Sequence, residues 1–440
     1  MNGGARSAAP AVVRSSVDSV FRRRAGQLSA TLTRILGIEH LDLVEDVVHD
    51  AFVQALRTWP YSGVPDNPSA WILSVARNRA LDILRRQGRW RERSADVERA
   101  ILPGADGGEP RSYFSHEVED DQLRLMFACC HPALSRDAQV ALTLKTVGGF
   151  SVVEIGRAFL TGRATVAQRV VRAKRTLREV GATLDVPSGD RLAPRREAVL
   201  EVLYLMFNEG YAACEGEDLV RADLCREAIR LAELVAAHEL LGAPVVHALA
   251  ALFLFQAARQ PARVDADGEL VPLEKQDRGR WDRSALRRAL GHLRLAGRGT
   301  EVTPYHLQAE IASCHSLADS FEETDWRRIL DCYDALAARD PSPVVALNRA
   351  VALAEVEGPE VALRALAHVA DHPTLRAYEA RWAIEGDLLC RLDRGREAAA
   401  AFAKGVELSR SQPVRRHLAR RLRDARSHAS PPVTADARGR

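Results

Sequence analysis

Apolar residues recur at intervals of three and four through nearly all of this chain, while the alternating β-branched runs that make strands are scarce. That spacing restricts the chain to an all-α fold. The breaks in the pattern mark its parts: WPYSGVPDNP near residue 60, LPGADGGEPRS after residue 101 and DVPSGDRLAP after residue 184 each cluster the prolines and glycines that end helices. Read this way, a disordered N-terminus over 1–15 precedes a first small helical domain over 16–93 and a polar tether over 94–117. A second helical domain follows over 118–182, then a linker over 183–194, a long Ala/Leu/Arg-rich helical region over 195–426 and a disordered tail over 427–440. Inside the long region Trp382, Gly386, Ala398 and Phe402 fall on the spacing of the 34-residue TPR signature. Ala346, Ala350, Ala362 and Leu366 repeat it earlier in weaker form, which predicts stacked helical hairpins.

Composition excludes several classes. With 47% hydrophobic and 28% charged residues in 440, the chain is neither disordered, collagenous nor membrane-embedded. No stretch approaches the roughly 18 uninterrupted apolar residues that a membrane span needs, and the N-terminal segment lacks a signal-peptide pattern, so a cytoplasmic location without a membrane partner is expected. Seven cysteines, an odd and scattered set, suit free thiols in a reducing compartment. A net charge of +3, from 62 basic and 59 acidic residues, predicts no polyanion partner by itself.

The distribution of charge is more informative than its total. Between Arg136 and Glu179 the pattern is a helix-turn-helix: Gly148 and Gly149 end one helix, Ser151 and Glu154 stand at capping-box spacing, and Leu160-Thr161-Gly162 supplies a tight turn in which glycine permits a left-handed conformation. On the helix that follows, Val166, Val170 and Leu177 form the core stripe, while Arg163, Arg169, Arg172, Lys174, Arg175 and Arg178 are six cations with no acid between them. Such a helix fits the major groove, with Thr165, Gln168, Arg169 and Arg172 placed for base edges and Arg163, Lys174 and Arg175 for phosphates.

Two further stripes lie in the first domain. EDVVHDAFVQALRTWP carries Glu45, Asp46, His49 and Asp50 on one side of a helix, a face suited to a basic protein groove or simply to solvent. SAWILSVARNRALDILRR aligns Ser74, Asn78, Asp82 and Arg85 in one polar stripe able to hydrogen-bond bases, beside a core stripe that includes Trp71, Ile72, Val75, Ala76 and Ile83.

EDVVHDAF, then AWILSVARNRALDILRR, a tether, and a helix-turn-helix ending TVAQRVVRAKR together resemble the extracytoplasmic-function group of bacterial RNA polymerase sigma factors. The resemblance implies that the two small domains are the second and fourth sigma domains. It also implies core RNA polymerase as a partner, through the clamp helices of its largest subunit and its β flap, and promoter DNA as another. By that similarity Asp46, Asp50, Phe52 and Gln54 dock on polymerase. Asn78, Asp82, Arg85 and Arg86 lie near the −10 element, with Ser74 in the same stripe, and the loop from Gly63 to Asn67 catches a flipped base. Thr165, Gln168, Arg169 and Arg172 read the −35 element. The longer chain resembles sigma factors of this group with a TPR-like C-terminal extension, through CCHPAL at Cys129 to Leu134, YLMFNEGYAA at Tyr204 to Ala213 and DADGELVPLEKQDRGRWD at Asp265 to Asp282. Relatives tend to carry an acid where this chain has Lys275. In such a protein the extension is a regulatory part, inhibiting or required, with a groove for a protein or a ligand.

No cofactor, metal or catalytic residue is expected. Adjacent Cys129 and Cys130 cannot readily share one tetrahedral ion, Asp265, Asp267 and Glu269 miss the EF-hand register, and His238, Glu239 and His247 form no HExxH. Two other readings stay open: a helix-turn-helix regulator with a helical sensor domain, and a helical-repeat enzyme or scaffold with an N-terminal targeting module.

Overall fold

The computed structural model describes residues 25–86, 114–159, 161–211, 222–266, 268–339 and 341–429. The segments expected at 1–15, most of the tether and nearly all of the tail lie outside these, as do Leu160, Asp267 and the end of YLMFNEGYAA. Among the described residues the regular elements are helices, joined by one isolated antiparallel bridge between Val264 and Leu270. They divide into two compact units, Met1–Met206 and Phe207–Arg440.

The first unit begins with α1 over 25–36, a 3₁₀ turn Ile38–His40, α2 Leu41–Ser62 and α3 Pro68–Arg86. Val44, Val48, Ala51, Phe52, Ala55 and Trp59 of α2 meet Ile72, Ala76, Ala80 and Leu84 of α3, the helical spacing read from the sequence. Trp71 packs edge-on against Trp59 with ring centroids 5.6 Å apart. Contrary to expectation, α2 runs through Pro60. Being in the last turn, Pro60 forgoes a single ladder bond. Fully buried Trp59 anchors that turn, and Gly63 closes it at φ 82°, donating its N–H to the Trp59 carbonyl at 3.0 Å.

Next come α4 Phe114–Cys129, α5 Arg136–Thr146, α6 Val152–Ala158 and α7 Arg163–Glu179. The paired cysteines fasten α4 to α5, since Cys129 Sγ lies 3.1 Å from Thr146 Oγ1 and Cys130 Sγ 3.8 Å from Thr143 Oγ1. Burial pushes both groups up, Cys130 to about 11, and keeps them as thiols. Two contacts bind α1 to this second set of helices. Gly26 approaches α5 so closely that a Cβ there would sit 1.8 Å from the Val147 carbonyl oxygen, and Arg34 Nε pairs with buried Asp121 at 2.9 Å. The two small domains are therefore one packed body, not two loosely tethered ones.

Helix α8 spans Leu192–Tyr211, and the division between units falls inside it, beyond the linker read at 183–194. Its first half belongs to the first unit because Arg195 donates to the Phe127 carbonyl and Arg136 binds both Glu201 and the Ala198 carbonyl.

The second unit is a series of helical hairpins. It comprises α9 Ala222–Ala237, α10 Pro244–Ala258, α11 Arg283–Ala296, α12 Pro304–Leu317, α13 Trp326–Arg339, α14 Pro343–Glu357, α15 Pro359–Ala367, the short α16 Pro373–Arg376, α17 Glu379–Arg391, α18 Gly395–Leu408 and α19 Gln412–Ala429. Sequence neighbours pack in space, α13 on α14, α14 on α15, α17 on α18 and α18 on α19. The TPR-like positions are interior: Ala398 and Phe402 are fully buried, and a Cβ on Gly386 would lie 2.6 Å from the Phe402 ring.

Four histidines of this unit, His247, His306, His315 and His417, are held below their usual 6.5, by burial first and, for all but His306, by neighbouring positive groups; His315 falls to about 3 and His417 to about 4. Unfolded, they bind protons that the folded unit refuses, so stability is present above pH 6.5 and declines as pH falls toward the folded values. Thermal melts from pH 7.5 to 5 should show the second unit losing several degrees, and His315→Phe should flatten the slope. A pH-independent melt would show that these rings titrate normally.

Candidate nucleic-acid interface

Ser151 caps α6 with the reciprocal capping box: its Oγ accepts from Glu154 N at 3.2 Å, and Glu154 Oε2 accepts from Ser151 N at 2.8 Å. Ile155 turns inward, with 2% exposed, and Phe159 is half-buried. The turn differs from expectation in its chemistry. Gly162 caps α7 at φ −61°, outside the left-handed region. It is Gly156 that must be small, because a Cβ there would lie 2.6 Å from the Thr161 carbonyl oxygen.

Helix α7 buries Val166, Val170, Ala173 and Leu177. Opposite that stripe Thr165, Gln168, Arg172 and Arg175 are exposed, and Arg163 is exposed at the helix start. Arg169 is half-buried and pairs with Asp137 at 3.1 Å, and Arg175 pairs with Glu179 at 3.4 Å. Arg163 and Arg172 have no ion-pair partner among the described residues. The face also presents Val171, 63% exposed, an apolar group where a thymine methyl could be met.

Lys174 departs from the expected phosphate contact. Only 6% of its side chain is exposed, and its Nζ lies 2.9 Å from Asp42 Oδ1 and 3.0 Å from Glu45 Oε1. Arg178 adds a contact to Asp42 at 3.3 Å, and Lys145 approaches Glu45 at 3.8 Å. Burial opposes ionisation of Asp42, but Lys174 and Arg178 outweigh it and hold the carboxyl below its usual range. One flank of α7 is thus tied to α2 while its outward face stays open.

In the first domain Ser74, Asn78, Asp82, Arg85 and Arg86 all lie exposed along α3. Asn67 is exposed at the end of the preceding loop, where its Oδ1 accepts from Ala70 N at 3.1 Å and starts α3. In the last turn of α2, beside the loop, Tyr61 is 92% exposed, an aromatic face that belongs to neither polar stripe read from the sequence. Asp46 and Gln54 are exposed on α2, and Asp50 is half-buried beside Arg79, 2.7 Å away. Phe52 must be corrected. It is 3% exposed in the core between α2 and α3, on the stripe opposite the acids, so it offers no docking surface here.

The sigma-70 region 2 family matches residues 20–90, the part of the chain that carries the α2 acids and the α3 stripe. A protein named ECF RNA polymerase sigma factor SigE, from Mycolicibacterium smegmatis, is 24% identical over 37% of this chain and 61% of its own length. The ECF RNA polymerase sigma-E factor of Escherichia coli K12 is 28% identical over 30% of this chain and 71% of its own length. The chain belongs to the extracytoplasmic-function sigma-factor family. It is a member with an added C-terminal domain: residues 195–297 match a family of unknown function, DUF6596, and an uncharacterized protein of Rhizobium meliloti is 41% identical over 84% of this chain and 87% of its own length. No solved structure matches the chain. Sigma factors are not enzymes, and this member has a sigma-factor role. No helix among its described residues is long and apolar enough to cross a membrane.

Reversing the buried charge tests the contact between α7 and α2 in this sigma factor. With fluorophores placed by Gln54→Cys and Thr165→Cys, Lys174→Glu should lower energy transfer, and adding Glu45→Lys should restore much of it. Discounted for the exposure of Asp42, the loss is about 2 kcal/mol. Unchanged transfer in Lys174→Glu would show that other contacts hold the domains together.

Proposed function

We propose that this chain is a promoter-specificity subunit which binds core RNA polymerase and directs initiation at a particular set of promoters. Two interfaces exposed on one compact body carry the reading: the α3 stripe and the outward face of α7. Asn78, Asp82, Arg85 and Arg86, with Ser74 and the loop ending at Asn67, contact the −10 element, and Tyr61 stacks on a base that leaves the helix. Arg163, Thr165, Gln168, Arg169 and Arg172 engage the −35 element, with Arg175 on a phosphate. Asp46, Asp50 and Gln54 meet the clamp helices of the largest polymerase subunit, and the second domain reaches the β flap.

Binding has to begin from the closed body. Asp42 and Glu45, which hold α7, lie within one turn of Asp46, so polymerase docking along α2 competes with the contact to Lys174. Release of Lys174 and Arg178 would free two cations along the flank of α7. Opening the −10 element is binding work, and catalysis belongs to polymerase. The C-terminal helical domain regulates these steps, and its hairpin groove takes a protein or a ligand.

Transcription with purified core polymerase tests the reading on full-length protein. Asp46→Arg with Gln54→Ala should abolish co-purification with core enzyme. Arg172→Ala should leave co-purification intact and lower promoter-dependent transcripts by roughly tenfold to a hundredfold, the effect of losing one base contact worth about 1–3 kcal/mol. A wild-type chain that fails to bind core polymerase, or an Arg172→Ala chain with full transcription from every promoter, sinks the respective half of the proposal.

A further inference from the structure

Gly291 stands in the interior of α11, Arg283–Ala296, where glycine is less favourable than alanine because it gives up more conformational freedom. Packing within the protein does not require it. A Cβ at Gly291 would meet nothing within 4 Å, whereas Gly210 and Gly386 of the same unit make room for Cys225 and Phe402. A helical glycine without an internal neighbour leaves a notch on the outer surface, one that lets a partner approach the helix backbone closely.

The surroundings of the notch are positive. Arg283, Arg287 and Arg294 stand at i, i+4 and i+11 with Gly291 at i+8, so the four share one stripe about 16 Å long. All three arginines are exposed, as are Arg280 before the helix and Arg298 after it, and among the described residues none of the five has an ion-pair partner. Elsewhere in this unit surface arginines are paired: Arg288 with Glu233, Arg328 with Glu310, Arg349 with Asp334 and Arg391 with Glu355. Asp282 caps α11, accepting from Ser284 and Ala285. Asp319 shares a cleft with Arg283 and Arg287 and offsets part of their charge.

A row of guanidinium groups around a notch fits a chain of phosphates. Each planar fork can hold two phosphate oxygens, and the missing side chain lets a sugar–phosphate strand lie against the helix. Duplex DNA presents one negative charge per about 1.7 Å of its axis, so a stripe of this length faces several. We infer that the outward face of α11 holds the sugar–phosphate backbone of duplex DNA without regard to base sequence. The stripe falls inside the DUF6596 match over residues 195–297, and the contact gives that region a role. The identity of the duplex rests on the promoter-binding role proposed above, to which α11 adds cations that read no sequence.

Fluorescence anisotropy of a promoter-free duplex of about 40 base pairs, titrated with the full chain from about 50 to about 200 mM salt, tests this without polymerase. Binding should be weak, with a Kd in about the micromolar to hundred-micromolar range at physiological salt. Arg283→Ala, Arg287→Ala and Arg294→Ala together should weaken it at least tenfold at low salt. The same variant should flatten the salt slope by about 2 to 3, since each phosphate contact contributes about 0.9. Gly291→Met, a better helix former, should raise the melting temperature and weaken DNA binding, a combination that a merely structural glycine does not give. Arg327→Ala, Arg396→Ala and Arg423→Ala remove equal charge from other exposed positions of the unit and should leave the slope unchanged. No measurable binding at low salt, full affinity in the α11 triple variant, equal loss in the charge-matched variant, or undiminished binding by Gly291→Met would each overturn the inference. Undiminished DNA binding by the α11 variant with weakened co-purification of core polymerase would assign the face to an acidic protein surface instead. A chain that holds this duplex through α11 yet does not bind core polymerase refutes the promoter-specificity reading alone.

Discussion

The buried ammonium of Lys174 governs how the two small N-terminal domains are arranged. A charge with 6% of its side chain exposed persists only with counter-charges at hand, and Asp42 and Glu45 supply them from a helix more than a hundred residues earlier. With Gly26 seated on the α5 end and Arg34 on Asp121, this contact converts two domains separated by a polar tether into one body. Because Lys174 and Arg178 lie on the flank of α7 and not on its outward face, the contact fixes orientation without covering Gln168 or Arg172. The outward face of α7 and the α3 stripe both stay exposed while held in one relative position.

Local features of this fold were legible in the sequence because they depend on neighbours. The capping box of α6, the core stripe of α7 and the polar stripe of α3 arise from residues three or four apart, and each stands where its spacing puts it. Misreadings came where a distant contact outvoted local chemistry. Gly162 suggested a left-handed turn, but the close backbone approach falls at Gly156; Pro60 suggested a helix end, but the burial of Trp59 carried α2 onward. Phe52 illustrates the reverse error, since family similarity assigned it a surface that its own helical register denies.

The second unit shows the same division. Gly386 and Phe402 disclosed their hairpin because a missing Cβ and an aromatic ring a repeat-like distance apart are complementary shapes. The stretch between α10 and α11 had no periodicity to read, and its meaning lies in long-range partners. Asp282 N–H bonds to the Ala258 carbonyl at 2.9 Å, Arg278 closes the end of α12, and Glu269 pairs with Arg416.

Energetics connect the closed body to a dependence on polymerase. The net charge of +3 is slight, and on α7 Lys174 and Arg178 face α2, so few cations stay available for phosphates and affinity for DNA alone is small. Each ~1.4 kcal/mol by which the closed arrangement is favoured lowers the apparent affinity of any partner that needs the open form by about tenfold. If polymerase docks on α2 as proposed, that docking meets the cost and frees Lys174 and Arg178 from their acids. In the proposed role, promoter contact becomes contingent on polymerase contact, because Asp46 and Asp50 adjoin Asp42 and Glu45, which restrain α7.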